Sequence, residues 1–390
     1  MRILHINKRY PPHVGGIEKH LQDLARAQSR RPGVEVEVVC VAEGTDPGYE
    51  RDGRVAVKRV AQQALVAANP LAAGIQQALR HSRHDVWHFH YPFPTGELSL
   101  LLSLRHGGFR ALSQRPRPVV VCSYHSDFVG EAGLKRTLAT PYAALTRAFL
   151  QAVDAVLVAS PQLAERSRFV PAVAGKVRVV PYGIDTQHLR PTPAILGAAA
   201  DLRRRYGSPL VLFVGRLVPY KGVDVLLRAL PAVPEAHAVL VGEGPLRAEL
   251  EGLASALGLS HRVSFAGALS DEALAAHYHA ADLFALPSVT PNEAFGLVQL
   301  EAHACGLAVV STNLPTGVPF ANKHGESGLV VEPGDVAGLG DALARLLRDP
   351  ELCARLGRQA RERQKKEFSL EVMADRVLGT YRELLDPGIS

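Results

Sequence analysis

The chain has 390 residues, 47% hydrophobic and 21% charged, enough to bury two cores of ordinary domain size. Its apolar stretches are too short and too interrupted to cross a bilayer, and residues 1–12 lack the apolar core and cleavage pattern of a secretory leader. Four cysteines, Cys40, Cys122, Cys305 and Cys353, stand far apart with no CxxC spacing, which excludes a disulfide framework or a cysteine zinc site and predicts a cytoplasmic protein with reduced thiols. Charge is uneven. Residues 1–190 carry 25 Lys+Arg against 15 Asp+Glu, and residues 191–390 carry 19 against 23, consistent with the net +6. A basic first half predicts either an anionic partner, such as a membrane surface, or simply a solvated basic face. Nucleic acid fits poorly, because aromatics are only 6% and do not interleave with the basic residues.

In chain order, residues 2–6 (RILHI) read as a buried strand, 10–16 as a loop ending in Gly15-Gly16, and 17–29 as an amphipathic helix. Strands follow at 34–42 and 54–60, a helix at 70–80, and a strand at 85–92. An apolar helix at 98–104 then runs into the basic residues Arg105, His106, Arg110, Arg115 and Arg117. That order suits either a segment lying on an anionic bilayer or, more commonly, a core helix followed by an exposed loop. Strands at 118–127, 154–160 and 176–185 complete the first series, with His125, Ser126 and Asp127 at the end of one of them. The Pro-rich 189–193 and the Ala-rich region to Tyr206 read as a crossing between domains. A second series of strands follows at 210–216, 238–245, 262–267, 281–288, 307–312 and 328–333, then helices from Val336 with a last one at 370–385. Strands alternating with helices predict parallel sheets with ligands at the strands' C-terminal ends.

The chemistry gathers in the second series. Arg216 and Lys221 follow its first strand and together suit a diphosphate, one as a planar fork of donors and the other as a mobile point charge. Neither a P-loop nor a dinucleotide fingerprint is present. Residues 286–307 read as strand end, polar loop and helix, so backbone N–H groups at the helix start would face an anion. Glu293 lies in that loop and Glu301 inside the helix. Carboxylates beside a phosphate site point to sugar hydroxyls. His88 and His90 share one face of a strand, but no nearby carboxylate or cysteine completes a metal site, which favours packing.

GRLVPYKG, VGEGP, VSFAG, LPSVTPNEAFGLVQLEAHACG and GLVVEPGD occur in the order found in glycosyltransferase family 4, the retaining GT-B enzymes, and the similarity covers nearly the whole chain. YPPHVGGIEKH, HFHYPFP, VCSYHSD and TNLPTG resemble the bacterial rhamnosyl- and mannosyltransferases of surface polysaccharides. The resemblance implies an α/β protein of two Rossmann-like doubly wound domains facing across a cleft. Residues 1–190 would form the acceptor side and 191–369 the nucleotide-sugar side, with helix 370–390 packing back on the first domain.

It implies catalytic roles for Glu293, His125, Arg216 and Lys221, and no metal or cofactor. Arg216 and Lys221 would neutralise the leaving diphosphate, Glu293 would hold the donor sugar and Glu301 the ribose. Phe295, Gly296 and Leu297 would offer backbone N–H groups, Gly16 would approach the diphosphate, and Val263 and Phe265 would wall the base. Glu18 and Asp127 would meet the acceptor, a glycan or polyprenyl-linked molecule. The donor implied is GDP-mannose or a GDP-deoxysugar, with same-face attack, and peripheral contact with an anionic inner membrane is in keeping with the basic first half. A UDP-sugar donor, a nucleotide-sugar epimerase and a non-catalytic assembly partner are the alternatives. His303, and Thr316-Gly317-Val318-Pro319 in place of a commoner Gly-Gly loop, depart from the family pattern near the donor pocket.

Overall fold

The computed structural model describes residues 1–13, 15–44, 46–66, 69–105, 117–127 and 134–386. The chain divides into two compact units, Met1–Gly183 together with Leu370–Ser390, and Ile184–Ser369. The first unit thus ends ahead of the 190 read from the sequence. His106, Arg110 and Arg115 of the basic run lie outside the described residues.

The first unit holds β1 (Arg2–Ile6), β2 (Glu35–Ala42), β3 (Gly48–Asp52), β4 (Val55–Ala61), β7 (Val86–Tyr91), β8 (Val119–Tyr124), β9 (Ala155–Val158) and β10 (Val177–Val179). They form one sheet in the order β10-β9-β8-β7-β1-β2-β4-β3, and a separate ribbon joins β5 (Ala64–Val66) to β6 (Asn69–Leu71). Every pairing in the large sheet is parallel except that of β3 with β4, a hairpin turning at Gly53 with φ +61°. The sequence reading missed this edge strand, although Asp-Gly between alternating residues is a strong hairpin signal.

Side chains alternate across the sheet. Leu4 and Ile6, Trp87, Phe89 and Tyr91, and Val120, Cys122 and Tyr124 fill one core. The opposite face packs Ile3, Val86 and Val121 against helices Gly16–Ser29 and Leu370–Leu385, through Leu21, Leu24, Met373 and Val377. The last helix is therefore part of the first unit: Arg31 pairs with Asp375 at 2.8 Å, and Gln28 donates to the Tyr381 hydroxyl.

Helix Pro94–Arg105 carries Glu97 inward. One carboxylate oxygen accepts from the Phe93 N–H (3.0 Å) and the Tyr142 hydroxyl (2.8 Å), while the other is buried without a partner among the described residues. Burial raises the carboxyl from its ordinary 4.5 to about 7. The folded chain therefore holds this proton more tightly than the unfolded one. Stability falls as pH rises between those two values, and about 3 kcal/mol is lost once the window is passed. Glu97→Gln is expected to flatten that part of a melting-temperature profile; an unchanged slope would remove Glu97 from the account.

In the second unit, β11 (Leu210–Val214), β12 (His237–Val241), β13 (Val263–Gly267), β14 (Leu283–Leu286), β15 (Ala308–Thr312) and β16 (Gly328–Val331) are all parallel. Their order is β13-β12-β11-β14-β15-β16, the doubly wound arrangement, with the direction of winding reversing between β11 and β14. Val211 and Phe213 face one core, and Leu210, Leu212 and Val214 the other. Residues expected to be an irregular crossing instead form helix Pro193–Tyr206, started by Thr192, whose hydroxyl accepts from the Ile195 N–H, and by Pro193 in the first turn. Proline there removes only a donor that had no helical partner, so Thr-Pro opens a helix rather than ending one.

Candidate active site

A doubly wound sheet opens at the carboxyl ends of the two strands where winding reverses. In the second unit these are the ends of β11 and β14, and glycines let their loops touch backbone to backbone. A Cβ on Gly222 (φ +62°) would meet the Pro287 carbonyl oxygen at 2.1 Å, and at the neighbouring end of β12 one on Gly242 would meet the Gly215 oxygen at 2.1 Å. The Val289 N–H donates to the Tyr220 carbonyl at 2.8 Å, closing the same contact.

This packing brings together the residues singled out by spacing. Lys221 Nζ donates to Glu293 Oε2 at 2.5 Å, both side chains being only 10% exposed. Ser288, fully buried, donates to the same oxygen at 3.0 Å, and Thr312 donates to the Ser288 carbonyl at 2.5 Å. The Lys221 ammonium has no other hydrogen-bond acceptor among the described residues, so part of its donor capacity is unassigned. Arg216, one turn of loop away, is exposed and makes no ion pair among the described residues. A buried neutralised pair thus adjoins a free guanidinium. Ser288 and Thr312 escaped the sequence reading, since a Ser at a strand end carries no signal until its neighbours are known.

Gly296 takes φ +70° and leads into helix Leu297–Ala304, whose first N–H groups receive no side-chain cap. The Phe295 ring is buried against Phe320 and Phe368, which anchors the backbone at this turn. Gly317 packs on that anchor: a Cβ there would meet the Phe295 ring at 2.3 Å, and its N–H donates to the Ala294 carbonyl at 2.8 Å. Glu301 Oε2 accepts from the Tyr278 hydroxyl at 2.8 Å, which orients the carboxylate. His303 turns into the core, where burial lowers its pKa to about 3 and keeps it neutral.

One expected role is corrected. Val263 opens β13, at the amino end of a parallel strand, and packs in the core; it is not at the ligand-facing end, so it cannot wall a base. Phe265, further along, is half-buried under the Arg247 guanidinium. Asp127 accepts through one oxygen from Tyr124 and Ser167 (2.5 and 2.7 Å) and through the other from the Arg168 N–H (3.0 Å). His125 is buried, its Nδ1 2.6 Å from the Tyr182 hydroxyl and its Nε2 3.2 Å from His90 Nδ1. Glu18 is buried in the first turn of its helix with its carboxylate over Gly15, where a Cβ would sit 2.2 Å away. Gly16 is exposed with nothing within 4 Å of its Cβ position, so backbone approach there is open.

Residues 14–188 match the family model Glycosyltransferase Family 4, and residues 199–363 match Glycosyl transferases group 1. The O-antigen chain mannosyltransferase C of Escherichia coli is 30% identical over 99% of both chains. The chain belongs to glycosyltransferase family 4. Other relatives include the D-rhamnosyltransferase WbpZ of Pseudomonas aeruginosa, 33% identical over 95% of this chain and 92% of its own. A further one is the GDP-mannose-dependent alpha-(1-6)-phosphatidylinositol monomannoside mannosyltransferase of Mycolicibacterium smegmatis, 32% identical over 91% of each. The solved sucrose-phosphate synthase of Thermosynechococcus elongatus aligns with a TM-score of 0.77 and 27% identity, over 99% of this chain and all of that one. The two Rossmann-like units are those of a GT-B glycosyltransferase. No helix among the described residues of this family 4 protein is long and apolar enough to cross a membrane.

Proposed function

We propose that this family 4 glycosyltransferase moves mannose, or a related deoxyhexose, from a GDP-sugar onto a polysaccharide or lipid-linked acceptor, with retention and without a metal. The carrying observation is the Lys221–Glu293 pair beside the unpaired Arg216 at the β11/β14 switch point. The relatives named for mannosyl, rhamnosyl and GDP-mannose chemistry support the donor.

The chemistry follows from charge. Breaking the anomeric C–O bond leaves positive character on the sugar and negative charge on the diphosphate. Arg216, the ammonium of Lys221 and the uncapped N-terminus of helix Leu297–Ala304 meet that negative charge where it develops, and fixed donors of this kind are often the largest catalytic term. Glu293 would hold the sugar through the oxygen not taken by Lys221 and Ser288, and Glu301, oriented by Tyr278, would hold the ribose. Same-face attack places the acceptor hydroxyl beside the departing phosphate, whose oxygen takes its proton.

Incubation with GDP-mannose, GDP-rhamnose or UDP-glucose and a membrane-derived lipid-linked glycan tests the reading. Transfer from a GDP-sugar, with the donor's anomeric configuration kept in the product by NMR, is expected. Transfer from UDP-glucose alone, or an inverted product, would contradict it. The basic first half supports contact with an anionic bilayer; failure to float with phosphatidylglycerol vesicles at low salt would count against that part.

A further inference from the structure

The polar face of the first sheet holds an unusual set of side chains. His5 on β1, His88 and His90 on β7, and Ser123 with His125 at the end of β8 all project to the side covered by helices Gly16–Ser29 and Leu370–Leu385, with His5 paired opposite His88 and His90 opposite Ser123. All four histidines are 5% exposed or less, as is Gln28 beneath them. Burial lowers the pKa of His5 to about 4 and drives those of His90 and His125 well below the ordinary imidazole value, so the rings are neutral at pH 7.

A neutral imidazole has one donor and one acceptor, so a series of them has a direction. Gln28 Oε1, an acceptor only, lies 2.7 Å from His5 Nε2. His5 must therefore carry its proton on Nε2, leaving Nδ1 to accept from His90 Nε2 at 3.0 Å. His90 Nδ1 then accepts from His125 Nε2 at 3.2 Å, and His125 Nδ1 accepts from the Tyr182 hydroxyl at 2.6 Å. The other end of the same amide donates to the Tyr381 hydroxyl (3.4 Å), which donates to His88 Nδ1 (2.5 Å), and His88 Nε2 donates to Ser123 (2.7 Å). Rotating the amide by half a turn would reverse both arms, so no ring can change its tautomer alone.

We propose that Gln28 is a positioning residue: its amide fixes the direction of a buried hydrogen-bond chain through His5 and His90 that locks His125 as the Nε2–H tautomer and aims the Tyr182 hydroxyl proton at it. The chain explains why three histidines occupy buried strand positions where apolar residues would otherwise stand, since each ring nitrogen is satisfied only while its neighbours keep the same sense. It also accounts for the short nitrogen–nitrogen distances without an ion. His5, His88 and His90, and likewise His20, His90 and His125, bring ligand atoms within 4.8 Å of one another, but neither triad includes a carboxylate or thiolate to offset a buried dication. The consequence for transfer rests on the catalytic role that the family resemblance implies for His125.

Long-range proton–nitrogen NMR of the full chain labelled with 15N-histidine tests this. In the wild type, His5, His90 and His125 are all expected as Nε2–H. Gln28→Leu removes the acceptor, and because a buried N–H without a partner is rarer and costlier than a bare acceptor, all three should switch together to Nδ1–H. Gln28→Glu, which keeps an acceptor and the side-chain shape, should hold the wild-type set and serves if the Leu variant fails to fold. Tyr381→Phe, which cuts only the second arm, should leave the three signals in place. Mixed tautomers or an imidazolium among the three in the wild type, no switch in a folded Gln28→Leu variant, or a stoichiometric transition metal on the purified protein would overturn the chain. Gln28→Leu is further expected to lower kcat roughly 10-fold with little change in donor KM, as for an interaction used only in the transition state. If the tautomers switch and kcat does not move, the catalytic role of His125 is what fails, and the chain stands.

Discussion

Lys221→Met is expected to abolish transfer and, unlike a surface charge change, to destabilise the second unit as well. Removing one partner of a buried ion pair strands the other, which typically costs about 3–5 kcal/mol. Here the stranded group is Glu293, left with Ser288 as its one remaining donor among the described residues. Glu293→Gln leaves the lysine buried beside a neutral amide and should cost less, because the amide oxygen still accepts from it. The double variant Lys221→Met with Glu293→Gln removes both charges, so its melting temperature should recover toward that of the wild type while turnover stays lost by roughly 10²-fold or more. Melting and turnover measured on the three variants separate the two effects. Wild-type turnover in the double variant would show that the pair is structural alone.

Arg216→Ala should behave in the opposite way. The guanidinium is exposed and unpaired among the described residues, so its loss should leave stability within about 0.5 kcal/mol of wild type. If it meets the departing diphosphate, turnover should nevertheless fall roughly 10²–10³-fold, the loss typical of a donor aimed at developing charge. Arg216→Lys should recover only part, since a point charge cannot replace the planar fork. A drop in stability without a drop in turnover would reassign Arg216 to the fold. The contrast between Arg216 and Lys221 is the signature of a site in which one cation is held in reserve by an acid and the other waits for its ligand.

Much of this was legible from the chain. Apolar runs alternating with helical periodicity located every parallel strand of both large sheets, because strands buried on both faces are mostly apolar along their length. Strand order was not legible. Six similar apolar runs carry no mark of which lies beside which, yet that order is what makes the ends of β11 and β14 the opening. Only the fold shows that Gly222 faces Pro287 and Gly242 faces Gly215. Pairing of Lys221 with Glu293, 72 positions apart, is likewise a product of topology. The helix Pro193–Tyr206 was missed for a local reason, since proline and alanine-rich polarity were read as a linker when Thr192 and Pro193 were a helix start.

The histidines teach a different lesson. In VWHFHY, large apolar residues alternate with His88 and His90, and the same alternation places His5 in β1 and His125 after β8. Taken strand by strand, each is an isolated buried histidine. Taken across three neighbouring strands, they form one polar face, and their partners Gln28 and Tyr381 come from helices at opposite ends of the chain. No local pattern could have named those partners.

Calorimetric binding of GDP, UDP, ADP and guanosine to the wild type and to Arg216→Ala tests most directly whether the β11/β14 opening is a nucleotide-diphosphate site. GDP is expected to bind the wild type more tightly than UDP or ADP, and Arg216→Ala should weaken GDP at least roughly 10-fold, the worth of one charged hydrogen bond, while leaving guanosine unchanged. Equal GDP affinity in the two proteins would place the diphosphate somewhere else.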